Sequence, residues 1–351
     1  MTGDGLTLAL VGDVNCKADE GCRPALAPSV QEQLARADVR IGNLEGALAD
    51  PSVELHFKRG WFDCEPEMLD VVAPHFDAFA CANNVHFGAA IKTSIGHLDR
   101  AGIPRAGAGA TRADALRPAI LERDGVRIGL LAFTSVFWPD GHAATESRPG
   151  VATIRVATAY EPHRRVHEMP GGPATVRTIP DPDELAAALD VVRRLRADVD
   201  VLVVYFHWGV SLSEDLAEYQ RQVGRAAVEA GADVVVGSHP HVVQAVELWM
   251  DRPIFYSVGN FMFGWRLYRE ATRDGVLVRL EARAARPWRC RVVPVRRNDR
   301  NEVEALALDT PHGERIAGRM AELSAQFGTG FVADGSDGLL VQAGRAILTG
   351  A

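Results

Sequence analysis

The chain has 351 residues, of which 47% are hydrophobic and 24% charged, and its formal net charge is -8. This composition is typical of a folded globular protein and excludes an intrinsically disordered one. The net negative charge argues against nucleic acid or an anionic membrane as the main partner. Nothing in the composition indicates an oligomeric state.

The N-terminal segment and the cysteines indicate the cellular compartment in which we expect the protein. No basic cluster precedes the first apolar run, so a signal peptide is not expected, and no stretch approaches the roughly 18 apolar residues of a transmembrane helix. The cysteines (Cys16, Cys22, Cys64, Cys81 and Cys290) form an odd set without a Cys-x-x-Cys pair. We therefore expect reduced thiols in a cytoplasmic protein without a membrane anchor, with Cys16 close enough to a polar motif to be a possible ligand.

In the first half of the chain, polar residues follow predicted strands. The pattern predicts strands over 7–11, 38–41, 76–82 and 126–133, and helices over 29–37, 65–72 and 91–101. The first three strands end in Gly12-Asp13-Val14-Asn15, Gly42-Asn43-Leu44-Glu45 and Asn83-Asn84. Each of these could be an ordinary turn that closes a strand. Paired asparagines, however, favour a loop or a ligand role over a core position.

The periodic pattern breaks down between about 136 and 182, where turn formers mix with aromatic and basic residues. We interpret this stretch as a long insertion. It could be a functional lid or binding loop, or only a solvent-exposed insertion.

The second half resumes the alternation. It predicts helices over 183–196, 215–230 and 314–327, strands over 198–206, 234–236 and 254–261, and an antiparallel pair over 276–283 and 290–296. His207-Trp208-Gly209 and Gly237-Ser-His-Pro-His241 follow two of the strands. We expect one domain over 1–300, with a helical extension over 301–351 packed on it.

Metal-competent residues thus follow five predicted strands. They are Asp13, Glu45, Asn84, His207 and the pair His239 and His241. His239 and His241 alone could be surface loop histidines. It is much less expected that all of these residues follow strand ends by chance. In open α/β sheets, ligands bind beyond the carboxyl ends of the strands. Carboxylate, amide and imidazole ligands together suit one or two divalent ions such as Zn, Mn or Fe.

These motifs, together with Ser257-Val-Gly-Asn-Phe261, resemble the CapA family of poly-γ-glutamate capsule biosynthesis, a branch of the calcineurin-like metallophosphoesterases. The resemblance covers roughly residues 6 to 298. It implies an α/β fold in four layers, an α/β/β/α sandwich, with a dinuclear site at the strand ends.

The resemblance also implies roles for individual residues. Asp13 and His241 would bind the first metal, Glu45 would bridge, and Asn84, His207 and His239 would bind the second. Asn15 stands where the wider superfamily often has a histidine ligand, so it is a weaker candidate ligand.

The sequence departs from the family pattern next to the site. Val85 stands where the family usually has a histidine that assists the reaction without binding metal, and His86 comes one residue later. Asn84 and His86 are therefore the catalytic candidates. After His207-Trp208-Gly209 the family tends to have an acidic-aromatic pair, whereas this chain has Val210-Ser211-Leu212.

The resulting prediction is a metal-dependent hydrolase, in which a metal-activated water attacks a phosphoester or an amide of a small anionic substrate. The candidates for gripping the anionic group are Lys58, Arg59, Arg164, Arg165, Arg266, Arg269 and Arg273. One alternative is a non-catalytic component of poly-γ-glutamate or capsule biosynthesis that binds metal and peptide. Another is an enzyme that forms or cleaves amides of glutamyl-like substrates.

Overall fold

The structure, a computed structural model, describes residues 5–17, 23–48, 63–85, 89–263, 270–282 and 289–344. Within these ranges the helices are α1 (Pro28–Ala35), α2 (Leu69–Val72), α3 (Ala89–Arg100), α4 (Arg112–Ala115), α5 (Pro182–Arg196), α6 (Glu218–Glu229) and α7 (Pro311–Ser324). None of the helices in this part of the chain combines the length and apolar character that a transmembrane helix needs.

The strands follow the same numbering along the chain. Those before residue 140 are β1 (Leu6–Asn15), β2 (Ala25–Leu26), β3 (Val39–Leu44), β4 (Ala47–Leu48), β5 (Asp63–Cys64), β6 (Ala78–Ala80), β7 (Arg105–Ala106), β8 (Ala108–Gly109), β9 (Ala119–Arg123) and β10 (Val126–Thr134). Those after it are β11 (Gly150–Val151), β12 (Val156–Glu161), β13 (Thr175–Pro180), β14 (Val201–His207), β15 (Val234–Ser238), β16 (Val246–Trp249), β17 (Arg252–Phe255), β18 (Asn260–Phe263), β19 (Asp274–Ala282), β20 (Arg289–Arg297), β21 (Glu302–Ala305), β22 (Thr329–Ala333) and β23 (Leu339–Ala343).

Two sheets form the centre of the fold. The larger sheet has the strand order β2-β21-β20-β19-β1-β3-β6-β7, with β18 beside β1, and β23 beside β20 and β22. The smaller sheet has the order β16-β17-β15-β14-β10-β9. Strands β1, β3 and β6 run parallel in one sheet, and β10, β14 and β15 run parallel in the other. Their carboxyl ends therefore lie at one edge of each sheet.

The side chains of β14 show how the layers stack. All seven of its residues are buried, and successive side chains point to opposite faces of a strand. Val203 and Tyr205 join the core shared with the larger sheet, whereas Leu202 and Val204 pack with α5 and α6. Helix α1 packs on the larger sheet, where Arg279 of β19 donates to the Gln33 backbone oxygen at 2.9 Å. The order of layers is therefore helix, sheet, sheet, helix, and the predicted four-layer α/β arrangement is confirmed.

Local sequence accounts for the helices that cover the smaller sheet. At the start of α5, the Asp181 carboxylate accepts hydrogen bonds from the backbone N–H groups of Asp183 and Glu184, at 3.1 and 3.0 Å. A side-chain acceptor at this position satisfies N–H groups that the helix itself leaves unpaired. Acidic residues in the first turn and basic residues in the last turn also suit the helix dipole.

The predicted strand over 254–261 is wrong as one continuous element. Its first part is β17, in the smaller sheet beside β15, and its last part is β18, in the larger sheet beside β1. The chain crosses between the sheets at Gly259, whose φ of 70° is a conformation that glycine adopts readily. This crossing brings two backbones into close contact at the edge that carries the polar residues.

Two other stretches contain strands that the sequence pattern did not predict. The insertion over 136–182 includes the antiparallel hairpin of β12 and β13, whose residues are mostly exposed and so lack the alternation of a half-buried strand. The segment after 300 contains the expected helix, α7, and also β21, β22 and β23, which join the larger sheet. That segment is therefore not purely helical.

Candidate metal centre

The polar residues predicted at strand ends lie at the carboxyl edges of the two sheets. Asp13 is near the end of β1, opposite Asn43 of β3, and Glu45 directly follows β3. In the smaller sheet, His207 ends β14 opposite Ser238, the last residue of β15. Since Glu45 and His207 come within 3.5 Å of each other, the edges of the two sheets meet at this point.

Five side chains form one compact cluster, which we call the metal cluster: Asp13, Glu45, His207, His239 and His241. The Glu45 Oε1 atom lies 3.5 Å from His207 Nε2 and 3.8 Å from His241 Nε2. The His241 Nδ1 atom lies 3.5 Å from Asp13 Oδ2.

Glu45 is shared by two groups of possible ligands within this cluster. One group contains Glu45, His239 and His241, and the other contains Asp13, Glu45 and His207. In each group the ligand atoms lie within 4.8 Å of one another. A shared carboxylate suits a bridging position between two ions. The grouping pairs His239 with His241, whereas the resemblance implied different ions for them.

Buried atoms without partners indicate that the cluster suits a cation. Both carboxylate oxygens of Glu45 and the Nδ1 atom of His239 are buried, and none of these atoms has a hydrogen-bond partner among the described residues. A buried polar group without a partner is destabilising, and a buried carboxylate without compensation strongly so. Divalent ions bound between these atoms would satisfy all of them, so the residues fit the metal that the family resemblance implies.

The pKa values of the cluster also favour a bound cation. Burial raises the pKa of Asp13 and, together with the neighbouring Asp13 carboxylate, raises the pKa of Glu45 well above its usual range. Burial and the nearby His241 lower the pKa of His239 to about 3, so its imidazole is neutral at physiological pH. Two closely spaced carboxylates and a neutral imidazole are a ligand set that a divalent ion would stabilise in its deprotonated form.

Three residues that we did not predict as site residues orient the cluster. Asn43 donates a hydrogen bond to Asp13 at 2.7 Å. The Ser238 hydroxyl lies 3.1 Å from His207 Nδ1, and the Asn260 side-chain oxygen lies 2.9 Å from His241 Nδ1. Because an amide oxygen only accepts, it favours a proton on Nδ1 of His241, and the lone pair for binding metal is then on Nε2. All three belong to the motifs quoted above, which is the signal that could have identified them.

The turn that carries the two histidines has a strained backbone. His239 and His241 have φ values of 91° and 59°, in a region that residues other than glycine rarely adopt. The His239 N–H donates to the Asp13 carboxylate at 3.2 Å, which ties the turn to the larger sheet. Strained residues of this kind concentrate at functional sites.

Asn15, which we considered a weaker metal ligand, has a different set of contacts. Its amide N–H donates to the Glu45 backbone oxygen at 2.7 Å, and its side-chain oxygen accepts from the Lys17 N–H at 2.9 Å. Asn15 therefore fixes the backbone beside Glu45, and its role as a metal ligand stays a prediction. Cys16, the other possible ligand next to it, is fully buried, and the neighbouring Cys64 thiol and burial raise its pKa well above its ordinary value.

Asn84 lies at the border of the metal cluster. It is half-buried, and its side-chain oxygen lies 3.2 Å from His207 Nε2. Val85, at the position of the family histidine, is buried, with 1% of its surface exposed. His86 lies outside the described residues, so the catalytic role of Asn84 and His86 stays a prediction, as does the role of Asn84 as a ligand of the second metal.

The structure does not bring the described candidate arginines to the metal cluster. Arg164 and Arg165 are exposed in the turn between β12 and β13, and Arg165 pairs with Glu168 at 2.6 Å. Arg273 pairs with Asp299 at 2.5 Å. The candidates Lys58, Arg59, Arg266 and Arg269 lie outside the described residues, so their contact with a substrate stays a prediction.

Several curated proteins resemble this chain in sequence. The PGA biosynthesis protein CapA of Bacillus subtilis (strain 168) is 30% identical over 227 residues, which cover 63% of this chain and 51% of that protein. The capsule biosynthesis protein CapA of Bacillus anthracis is 29% identical over 270 residues, 72% of this chain and 57% of that protein. An uncharacterized protein of Sinorhizobium fredii, y4sH, is 29% identical over 307 residues, 74% of this chain and 66% of that protein. The chain thus spans between about half and two thirds of the length of these relatives.

The solved structure of TT1561 of Thermus thermophilus aligns with a TM-score of 0.39 and 11% identity, over 80% of this chain and 97% of that one. A likeness this weak adds nothing to the fold described above. The model of one sequence family, described as bacterial capsule synthesis protein PGA_cap, matches residues 1–265. This match covers the whole metal cluster and most of the chain. The chain therefore belongs to the bacterial capsule synthesis protein family.

Proposed function

We propose that this chain is a metal-dependent hydrolase that acts on a phosphoester or an amide of a small anionic substrate. The main support is Glu45, a fully buried carboxylate that is common to both ligand groups and that has no hydrogen-bond partner in the part of the chain that the structure describes. A buried carboxylate without a partner is destabilising, and bound divalent ions would compensate for this cost.

Asp13, Glu45, His207, His239 and His241 would hold the ions. Bound divalent ions would supply a water of lowered pKa and stabilise negative charge on the phosphoryl or carbonyl oxygen under attack. The Asn43 and Asn260 amides would keep Asp13 and His241 in position for this task. Burial excludes bulk water from the cluster, which strengthens the electrostatic interactions within it.

Val85 favours a second candidate function. A buried valine at the family's histidine position cannot move a proton, as a catalytic role there would require. A protein that binds metal and peptide for poly-γ-glutamate or capsule biosynthesis, without hydrolysis, would not need that histidine. An enzyme that forms or cleaves amides of glutamyl-like substrates is the third candidate, because the same ions activate both kinds of electrophile.

The experiment combines metal analysis with a substrate screen. Protein purified without chelator and loaded with Zn, Mn or Fe is assayed against phosphoesters and against γ-glutamyl and other amides. We expect His207→Ala and His239→Ala to lower both metal content and turnover. The matched control is His312→Ala, since His312 is exposed and outside the metal cluster, and it should change neither.

The outcomes separate the candidates. If wild-type protein takes up well under one metal ion per chain even after loading, the metal-dependent hydrolase is excluded. Metal uptake without turnover of either substrate class would favour the non-catalytic candidate. Turnover of amides alone would favour the third.

A further inference from the structure

A loop with exposed apolar side chains lies beside the metal cluster. This loop, residues 209–215, follows His207-Trp208, and we call it the rim loop. Val210 is 57% exposed and Leu212 is 37% exposed. The Leu212 N–H donates to the Pro240 backbone oxygen at 2.9 Å, and Pro240 stands between His239 and His241. The rim loop is therefore attached to the turn that presents two of the imidazoles.

Buried polar side chains hold the rim loop in one conformation. The Gln244 amide donates to the backbone oxygens of Ser213 and Asp215, at 2.9 and 3.3 Å. Gln220 donates to Gln244 at 3.1 Å, and both glutamines are fully buried. At the start of the loop, the Gly209 N–H donates to the Tyr219 hydroxyl at 2.6 Å. These bonds fix the loop before any ligand arrives, which lowers the entropic cost of binding.

The backbone at Leu212 is strained. Its φ of 64° lies in the left-handed region, where glycine or asparagine is favoured and a bulky residue is uncommon. An exposed leucine gains little from packing that would offset this strain. Strain at such a position is characteristic of binding and active sites.

The charges of the loop also bear on what it could bind. It contains no lysine or arginine, and the carboxylate of Glu214 is paired with Arg319, whose Nε lies 3.0 Å away. The loop also exposes Ser211 and, at its end, Asp215, and its other exposed side chains are those of Val210 and Leu212. The two apolar side chains suit an uncharged, apolar part of a ligand whose anionic part binds the metal ions.

We infer that the rim loop is an apolar subsite, so that the substrate carries an aromatic or branched aliphatic group next to its phosphoester or amide. This inference rests on the proposed function, because it places the reacting group at the metal cluster. Val210 and Leu212 determine specificity, and neither takes part in the chemistry.

Two phosphonates that cannot be hydrolysed test the subsite by calorimetry on the metal-loaded protein. Phenylphosphonate and methylphosphonate share the metal-binding group and differ only in the apolar group. We expect the wild type to bind phenylphosphonate about tenfold more tightly, as burial of several apolar carbons would give. Val210→Thr keeps the shape of the side chain, and Leu212→Asn tolerates the positive φ. Each should reduce the preference severalfold and leave methylphosphonate binding unchanged.

Val332→Thr is the matched control, because Val332 is 37% exposed on β22, a strand of the larger sheet, whereas the rim loop follows a strand of the smaller sheet. It should retain the full preference for phenylphosphonate. Equal binding of the two phosphonates by the wild type, or no binding of either, would overturn the subsite. So would an unchanged preference in both rim-loop variants. Failure of the proposed function would give a different result. A protein that hydrolyses neither substrate class could still bind phenylphosphonate more tightly than methylphosphonate.

Discussion

Asn15 and Asn43 show how differently two buried amides can contribute to one site. Both are near the carboxyl ends of neighbouring strands, but Asn43 donates to the Asp13 carboxylate and Asn15 donates to the Glu45 backbone oxygen. Asn43 therefore acts on a ligand atom, whereas Asn15 acts on the backbone that carries one. The assignment follows from register, because Asp13 stands opposite Asn43.

Replacing Asn15 tests this assignment. Asn15→Ala removes the donor to a buried carbonyl, so we expect a loss of about 1–3 kcal/mol in the free energy of unfolding. Metal content, measured by elemental analysis, should stay near that of the wild type. Gln326→Ala, which removes an exposed amide, is the control and should change stability little. Loss of metal with unchanged stability would instead support Asn15 as a ligand.

The pH dependence of metal binding follows from the shifted pKa values. Protons compete with the metal at Glu45 and Asp13, whose pKa values are raised by burial. They do not compete at His239 between pH 5 and 8, because its pKa is about 3. Metal binding should therefore weaken as pH falls, by about tenfold per pH unit for each proton that binding releases.

Calorimetric metal titrations at several pH values between 6 and 8 would measure this dependence. Glu45→Gln has no proton to release at that position, so its slope against pH should be smaller than that of the wild type. An identical slope in the two proteins would show that Glu45 is not the group that releases the proton.

At the scale of elements, the site depends on a close approach between β15 and the segment after β17. A Cβ atom on Gly237, the residue before the last of β15, would lie 2.0 Å from the Tyr256 backbone oxygen. Real Cβ atoms do not approach a backbone oxygen so closely, so only glycine fits without displacing the chain. The turn with His239 and His241 begins immediately after this contact.

Gly237→Ala should therefore destabilise the fold by about 2 kcal/mol or more and also lower metal affinity, because the backbone must move next to the imidazoles. Denaturant unfolding and metal titration would measure the two effects. Gly318→Ala is the matched control, since no described atom outside the backbone of α7 itself lies within 4 Å of a Cβ atom at that position. It should be neutral or stabilising by up to about 1 kcal/mol. A Gly237→Ala variant as stable as the wild type would contradict the close approach.

The elements that the sequence predicted well are those with a local signal. The strands β1, β3, β14 and β15 are apolar runs followed by polar residues, so both the strand and the ligand position are readable. The crossing between β17 and β18 cannot be read from the sequence, because apolar residues continue through it. The change of sheet depends on partners that are distant in the sequence. The hairpin of β12 and β13 lacks a buried face, and so lacks the alternation by which strands are recognised.

At the scale of the whole molecule, the metal cluster depends on how the two sheets are placed against each other. Asp13 and Glu45 come from the larger sheet, and the three histidines come from the smaller sheet. Tyr205 of β14 connects the sheets directly, since its hydroxyl lies 3.0 Å from the backbone oxygens of both Val11 and Ile41. Val11 falls where the register between β1 and β3 shifts, and its carbonyl needs a partner outside the regular ladder.

Removal of this hydroxyl should affect both stability and the metal site. Tyr205→Phe keeps the ring in the shared core but leaves the Val11 and Ile41 carbonyls without the donor between them, so we expect a loss of about 1–3 kcal/mol in unfolding free energy. Because the ligands come from both sheets, a change in their spacing should also weaken metal binding severalfold. The control is Tyr160→Phe, which removes a hydroxyl from a residue that is 71% exposed, and it should alter neither property. Stability that falls while metal affinity stays unchanged would show that the cluster does not depend on this contact between the sheets.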